Sequence, residues 1–163
     1  MGAPNPLFLR EEELERGLEL LYSVGHRLNL DALGLRAEGA IDELDHHALF
    51  LVDRRPGITQ AELCAALGLS KQTLSRRLHR LLEAGLVEIG DPSGDRRKRP
   101  LRLTARAATL LAGIKAQQKR RLRLAFKSAG ANAVEGFERV LLELVGEPRR
   151  ELLRRWAGVT SVP

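Results

Sequence analysis

Cysteine is almost absent from this chain: Cys64 is the one thiol, so an internal disulfide is excluded and a reducing compartment fits. Aromatic residues are scarce too, at 4%, while leucine, alanine and charged residues dominate, which favours a mainly helical protein. No apolar run approaches the roughly 18 residues of a membrane span. Met1 to Pro6 lack the basic and apolar regions of a secretory signal, and Pro6 stands where a myristoylation motif needs Ser or Thr. A cytoplasmic protein with no membrane partner is expected. The sequence also lacks a glycine-rich phosphate loop, a Ser/His/Asp motif in recognisable context and a pair of catalytic carboxylates, so no enzymatic activity is expected. His46 and His47 are adjacent and would point about 100° apart on a helix. Neither they nor His26 has cysteine or clustered acids at ligand spacing, so neither a metal site nor a cofactor is expected.

What the chain does have is charge, unevenly spread around a formal net value of +6. Residues 1–69 carry 6 basic and 12 acidic side chains, residues 70–106 carry 10 and 4, and residues 107–163 carry 11 and 5. A short, strongly basic middle segment is what phosphate binding requires, provided that its cations fall on one surface. A chain of 163 residues can bury one core, so a single domain over 1–163 is expected.

Apolar spacing and punctuation predict the elements. Leu14, Leu18, Leu21, Tyr22 and Gly25 recur at helical spacing from about 10 to 29, with glutamates in the first turn, where the helix dipole favours them. Gly34 and Gly39 mark an irregular connection, and a second helix runs from Asp42 to about Arg54 before Pro56-Gly57 stops it. Thr59-Gln60-Ala61-Glu62 reads as a capping box opening a helix over 60–67, with Gly68 suited to the left-handed position that ends it. Ser70 is a good N-cap for a helix to Ala84, which Gly85 closes. Residues 86–89 and 101–104 read as two strands around a segment dense in turn formers, Gly90 to Asp95. A long helix over 105–127, an interruption at Gly130, an apolar stripe from Val134 to Val145 and a last short helix carrying Leu152, Leu153 and Trp156 complete the chain.

Two short helices joined by about four residues containing glycine form a helix-turn-helix pattern. In its second helix Leu74, Leu78, Leu81 and Leu82 share one side, at spacing 4, 3 and 1. At 100° per residue, Gln72, Arg76, His79, Arg80 and Glu83 lie opposite, with Thr73 and Arg77 on a flank. Gln and Arg can make bidentate contacts to base edges in the major groove, and the first turns of such a helix reach deepest. Gln72, Thr73 and Arg76 are therefore expected at bases, and Ser70, Lys71, Arg77 and Arg80 nearer phosphates.

The hairpin tip Gly94-Asp95-Arg96-Arg97-Lys98-Arg99 places four cations in a row. They repel one another and no folding requirement explains them, whereas arginine in a narrow minor groove meets enhanced negative potential. Asp95 is expected to orient Arg97 through a carboxylate–guanidinium hydrogen bond. The DNA-binding residues of this wing are thus Asp95, Arg96, Arg97, Lys98 and Arg99.

Taken together, Pro56 to Leu63, Leu67-Gly68-Leu69-Ser70, Leu81 to Val87, Asp95-Arg96-Arg97 and Leu101 to Thr104 resemble the MarR family, in order and at family-like spacing over about residues 44–112. The resemblance implies a mainly α fold with a small β-hairpin wing: a winged helix-turn-helix lobe over 42–104, and a helical dimerisation region over 10–30 and 105–157. It implies a sequence-specific duplex-DNA-binding transcriptional regulator, usually a repressor, that acts as a homodimer on a pseudopalindromic operator. Asp95 and Arg97 match the family's Asp-x-Arg wing element. Lys71-Gln72 departs from the commoner small-residue start of the recognition helix, so the operator sequence does not carry over. The family's effector cleft, between the lobe and the dimerisation helices, would here involve Tyr22, His26, His46 and Phe50, with a small-molecule effector as the further partner.

Dimerisation also follows from recognition itself, because one helix contacts too few base pairs, whereas a two-fold dimer presents two about 34 Å apart. The acidic start Glu11-Glu12-Glu13, Glu15 and Glu19 could face Lys119, Arg120, Arg121 and Arg123 of a second chain. The competing reading gives the basic run 115–127 to nucleic acid, and the sequence leaves both open. The alternative to a specific regulator is a non-specific architectural DNA- or RNA-binding protein, distinguishable by specificity ratio and salt dependence. Cys64, at a small-residue position in the first helix of the pair, is expected to be packed and inert.

Overall fold

The computed structural model describes residues 9–32, 41–90, 99–147 and 149–158, the side chains of the last two aside. Helix α1 spans Glu11–Asp31 and opens on three glutamates. It buries none of its apolar side chains and is held near its C-terminal end. There Arg121 grips Asp31 through both guanidinium nitrogens, and Gln118 Nε2 donates to the Leu28 carbonyl at 3.3 Å.

Helix α2, Glu43–Arg54, begins one residue after the expected start because Asp42 is its cap. Asp42 Oδ1 accepts from the Asp45 amide at 2.9 Å while Asp45 Oδ2 accepts from the Asp42 amide at 3.3 Å, a reciprocal box that satisfies two otherwise orphaned donors. Helix α3, Gln60–Leu67, is capped the same way by Thr59 and Glu62. Gly68 then turns the chain at φ +66°, and the Leu69 amide bonds back to the Cys64 carbonyl at 3.1 Å. Ser70 caps helix α4, Lys71–Glu83, by accepting from the Thr73 amide at 3.1 Å.

Strands β1, Val87–Ile89, and β2, Leu101–Leu103, pair antiparallel with Val87 opposite Leu103 and Ile89 opposite Leu101. Leu86 stays outside the strand because its amide closes the end of α4 on the Leu81 carbonyl. On its other edge β2 exchanges hydrogen bonds with Gly57 and Ile58, tying the hairpin base to the entry of α3. Thr104 caps helix α5, Ala105–Ala129, through the Ala107 amide and donates its hydroxyl to the Gly85 carbonyl at 2.8 Å. Gly130, at φ +84°, ends α5 and starts helix α6, Ala131–Val145, with Phe126 and Phe137 edge to face across the bend at 6.1 Å. Helix α7 covers Arg149–Gly158.

The core lies within the lobe. Leu49 and Val52 of α2, Leu63 of α3, Leu74 and Leu81 of α4, and Leu86 are at most 2% exposed. Each such side chain contributes about 1.5–3 kcal/mol by leaving water. The first half of α5 closes it with Ala107 and Ile114. Residues 149–156 fall inside the segment assigned from sequence to the dimerisation region, yet within the chain they pack on the lobe. Leu152 joins the core, Arg55 Nη2 donates to the Trp156 carbonyl at 2.6 Å, and the same guanidinium lies 5.1 Å from the indole centre.

Candidate nucleic-acid interface

Helix α4 owes its placement to its leucine face. Leu74, Leu78 and Leu81 are buried and Leu82 is half-buried, which turns Lys71, Gln72, Arg76, His79 and Arg80 outward. Ser70 holds the first turn twice: its hydroxyl accepts from the Thr73 amide and lies 2.8 Å from the Thr73 hydroxyl, leaving Thr73 half-buried. Among the described residues Lys71 and Arg76 have no carboxylate partner, while His79 lies 3.3 Å from Glu83 one turn along. The exposed start of α4 thus combines two uncommitted cations, an amide and a helix N-terminus, groups suited to phosphate oxygens and base edges.

Arg77 and Arg80, expected nearer phosphates, have carboxylate partners within the chain. Arg77 Nη1 donates to Asp42 at 2.8 and 2.6 Å and to Asp45 at 2.9 Å; Arg80 Nη2 donates to Asp45 at 3.0 Å. Burial raises the Asp42 carboxyl, but hydrogen bonds from Arg77 and from backbone amides outweigh it and hold the group below the ordinary carboxylate range. The Asp42 and Asp45 hydrogen bonds push Arg77 higher still. In this arrangement one nitrogen of the Arg77 guanidinium, Nη1, is engaged by carboxylates before any phosphate arrives. The sequence carried a hint, since a capping-box pattern marks Asp42 and Asp45 as fixed acids. It did not say that α4 would lie across them.

Of the wing, Asp95, Arg96, Arg97 and Lys98 lie outside the described residues; Arg99, at its foot, is exposed. Arg102 on β2, absent from the expected set, is exposed opposite Glu88 and lies along Gly90, where an added Cβ would sit 3.2 Å from its Nε. Alternation along the strand, with Leu101 inward, was the signal for it.

A cleft of about 520 Å³ opens between α1, α2 and α5. His46 and Phe50 line it, together with Leu28, Asp42, Leu44 and Gln118; Tyr22 and His26 do not. Tyr22 is 76% exposed. Cys64 is buried, and burial raises its thiol above the ordinary value, partly offset by the nearby Lys71 cation. No group of three or more potential metal ligands exists among the described residues, and no described helix is long and apolar enough to cross a membrane.

This arrangement of helices, strands and caps defines a winged helix-turn-helix protein. The sequence pattern of the MarR family matches residues 41–98. The HTH-type transcriptional regulator PetP of Rhodobacter capsulatus is 34% identical over 140 residues, spanning 86% of this chain and 84% of that protein. The chain belongs to the MarR family of transcriptional regulators. Its fold matches Streptococcus pneumoniae FabT, solved in complex with DNA, at a TM-score of 0.65 and 19% identity, covering 81% of this chain and 94% of that one. It also matches a MarR transcriptional regulator from Methanosarcina mazei Go1 at 0.60 and 20% identity, covering 83% and 95%.

Proposed function

We propose that the chain regulates transcription as a homodimer, acting as a repressor on a pseudopalindromic duplex operator. The observation that carries this reading is the exposed first half of α4, where Lys71, Gln72 and Arg76 stand together on the side opposite the leucines. Gln72, Thr73 and Arg76 read bases, while Ser70, Lys71 and Arg80 approach phosphates. Arg97, oriented by Asp95, enters the minor groove with Arg96, Lys98 and Arg99 beside it.

A second copy completes the molecule. Leu14, Leu18, Leu21 and Leu28 on α1, and Phe137, Val140 and Leu144 on α6, are all at least 40% exposed in the single chain. Apolar stripes this regular are costly to leave in water and are characteristic of interfaces. Charge complements them: at 100° per residue, Lys119, Arg120, Arg123 and Lys127 share one outward arc of α5, and Glu11, Glu12, Glu13, Glu15 and Glu19 are exposed on α1. Arg121 leaves the basic set proposed to meet these acids, because Asp31 of its own chain already holds it. The cleft at His46 and Phe50 suits an effector that binds two lobe spacings with different affinity, as any effector must.

Selection of binding sites from randomised duplex DNA at near-physiological salt tests this reading. An inverted repeat with half-sites about one helical turn apart is expected. Salt-sensitive binding without any recovered motif would replace it with a non-specific architectural role.

A further inference from the structure

The carboxylates that hold Arg77 and Arg80 sit on α2, outside the recognition surface, yet they decide which of its cations are available. The Asp45 side chain is 3% exposed, against 20% for Arg77 and 52% for Arg80. Both aspartates are fixed in turn by the reciprocal cap that starts α2, so neither swings with solvent. Three of the four bonds fall on one nitrogen, Arg77 Nη1. A phosphate approaching Arg77 at Nη1 must therefore compete with two oriented carboxylates, whereas one approaching Lys71 or Arg76 meets no such rival among the described residues.

Affinity for duplex of any sequence grows with the number of phosphates neutralised, while discrimination comes from base edges. A cation withheld from phosphates lowers binding to duplex of every sequence without removing a base contact. We infer that Asp45, together with Asp42, is an affinity-setting pair that never touches DNA: it engages Arg77 through Nη1 and restrains Arg80, and so lowers the sequence-independent, charge-driven part of duplex binding while leaving the base-reading turn of α4 untouched. The inference rests on the DNA-binding reading above and adds to it a positioning role for two acids on another helix.

The test uses Asp45→Asn, Asp42→Asn and the double variant in the full chain. Asparagine keeps the shape of each side chain and caps a helix as well as aspartate does. Binding to the selected inverted repeat and to a random duplex of equal length is measured across a salt series, alongside the thermal midpoint. In the double variant both duplexes are expected to bind more tightly, each with a salt dependence steeper by roughly one to two ions. The ratio of operator to random affinity is expected to stay close to the parent's, because phosphate contacts weigh on both duplexes alike. Unchanged slope and affinity in folded variants would overturn the inference. So would equal loss of affinity for both duplexes in step with a lowered midpoint, the outcome of a merely structural role. If the double variant does not fold, Asp42→Asn decides alone: its carboxylate is 49% exposed, and the same changes are expected at smaller size. A parent chain that binds no duplex at any salt refutes the DNA-binding reading first, on the parent alone, and this inference with it.

Discussion

Helix α4 and helix α1 carry similar apolar stripes and meet opposite fates. The leucines of α4 disappear into the lobe, with Leu74 fully buried and Leu81 nearly so, whereas α1 and α6 bury none of their apolar side chains. The lobe is closed by its own chain: three of its helices begin on side-chain caps, and its hairpin is tied to the entry of α3. The terminal helices are tethered at few points, chiefly Asp31–Arg121 and the Phe126–Phe137 contact, and leave their apolar faces in the open. Periodicity announces that a face must be covered; it does not announce by which chain.

The largest effect should separate these two regions. Leu74→Ala is expected to cost 2–5 kcal/mol, as a core leucine does when a cavity replaces it, read from urea unfolding at fixed protein concentration; roughly the cost of a surface change would contradict the burial described for the lobe. Within the lobe's exposed face, Gln72→Ala is expected to lose about 1–3 kcal/mol at its cognate base and to relax preference there. Lys71→Ala should weaken all duplexes and flatten the salt dependence by about one ion. Binding of either variant indistinguishable from the parent's would remove α4 from the interface.

Smaller still is the loss of a cap. Thr59→Ala removes the acceptor for the Glu62 amide and should cost about 1 kcal/mol in the same unfolding assay. The smallest effect belongs to the tether of α1. The Arg121 hydrogen bond holds the Asp31 carboxyl below its ordinary value. A depressed folded-state pKa contributes stability above the unfolded value of about 4, and this is lost as pH falls through the lower folded value. Asp31→Asn should therefore flatten the acid limb of the stability profile below pH 4 and leave the neutral region less stable; an unchanged acid limb would show the tether to be energetically silent.

Much of the lobe was legible because its signals are local. Thr59 with Glu62, Gly68 and Ser70 set the helix-turn-helix within a dozen residues, and the leucine spacing of α4 assigned its outward face. What escaped the sequence depends on packing between distant elements. Arg77 meets Asp42 across 35 residues, and no periodicity within α4 reveals that α2 presents acids there. The cleft took Leu28 and Gln118 in place of Tyr22 and His26 because α1 is held from its far end, which turns Tyr22 to solvent. Residues 149–156 could continue away from the lobe or return to it after Gly146, and only the fit of Leu152 and Trp156 against it chose.

The central claim is that the apolar faces of α1 and α6 are completed by a second copy, so the mass in solution tests it most directly. Sedimentation at micromolar concentration should give twice the 18.1 kDa of one chain, and Leu18→Glu with Val140→Glu should return the protein to a folded single chain. A parent protein that sediments as one chain at that concentration would contradict the account.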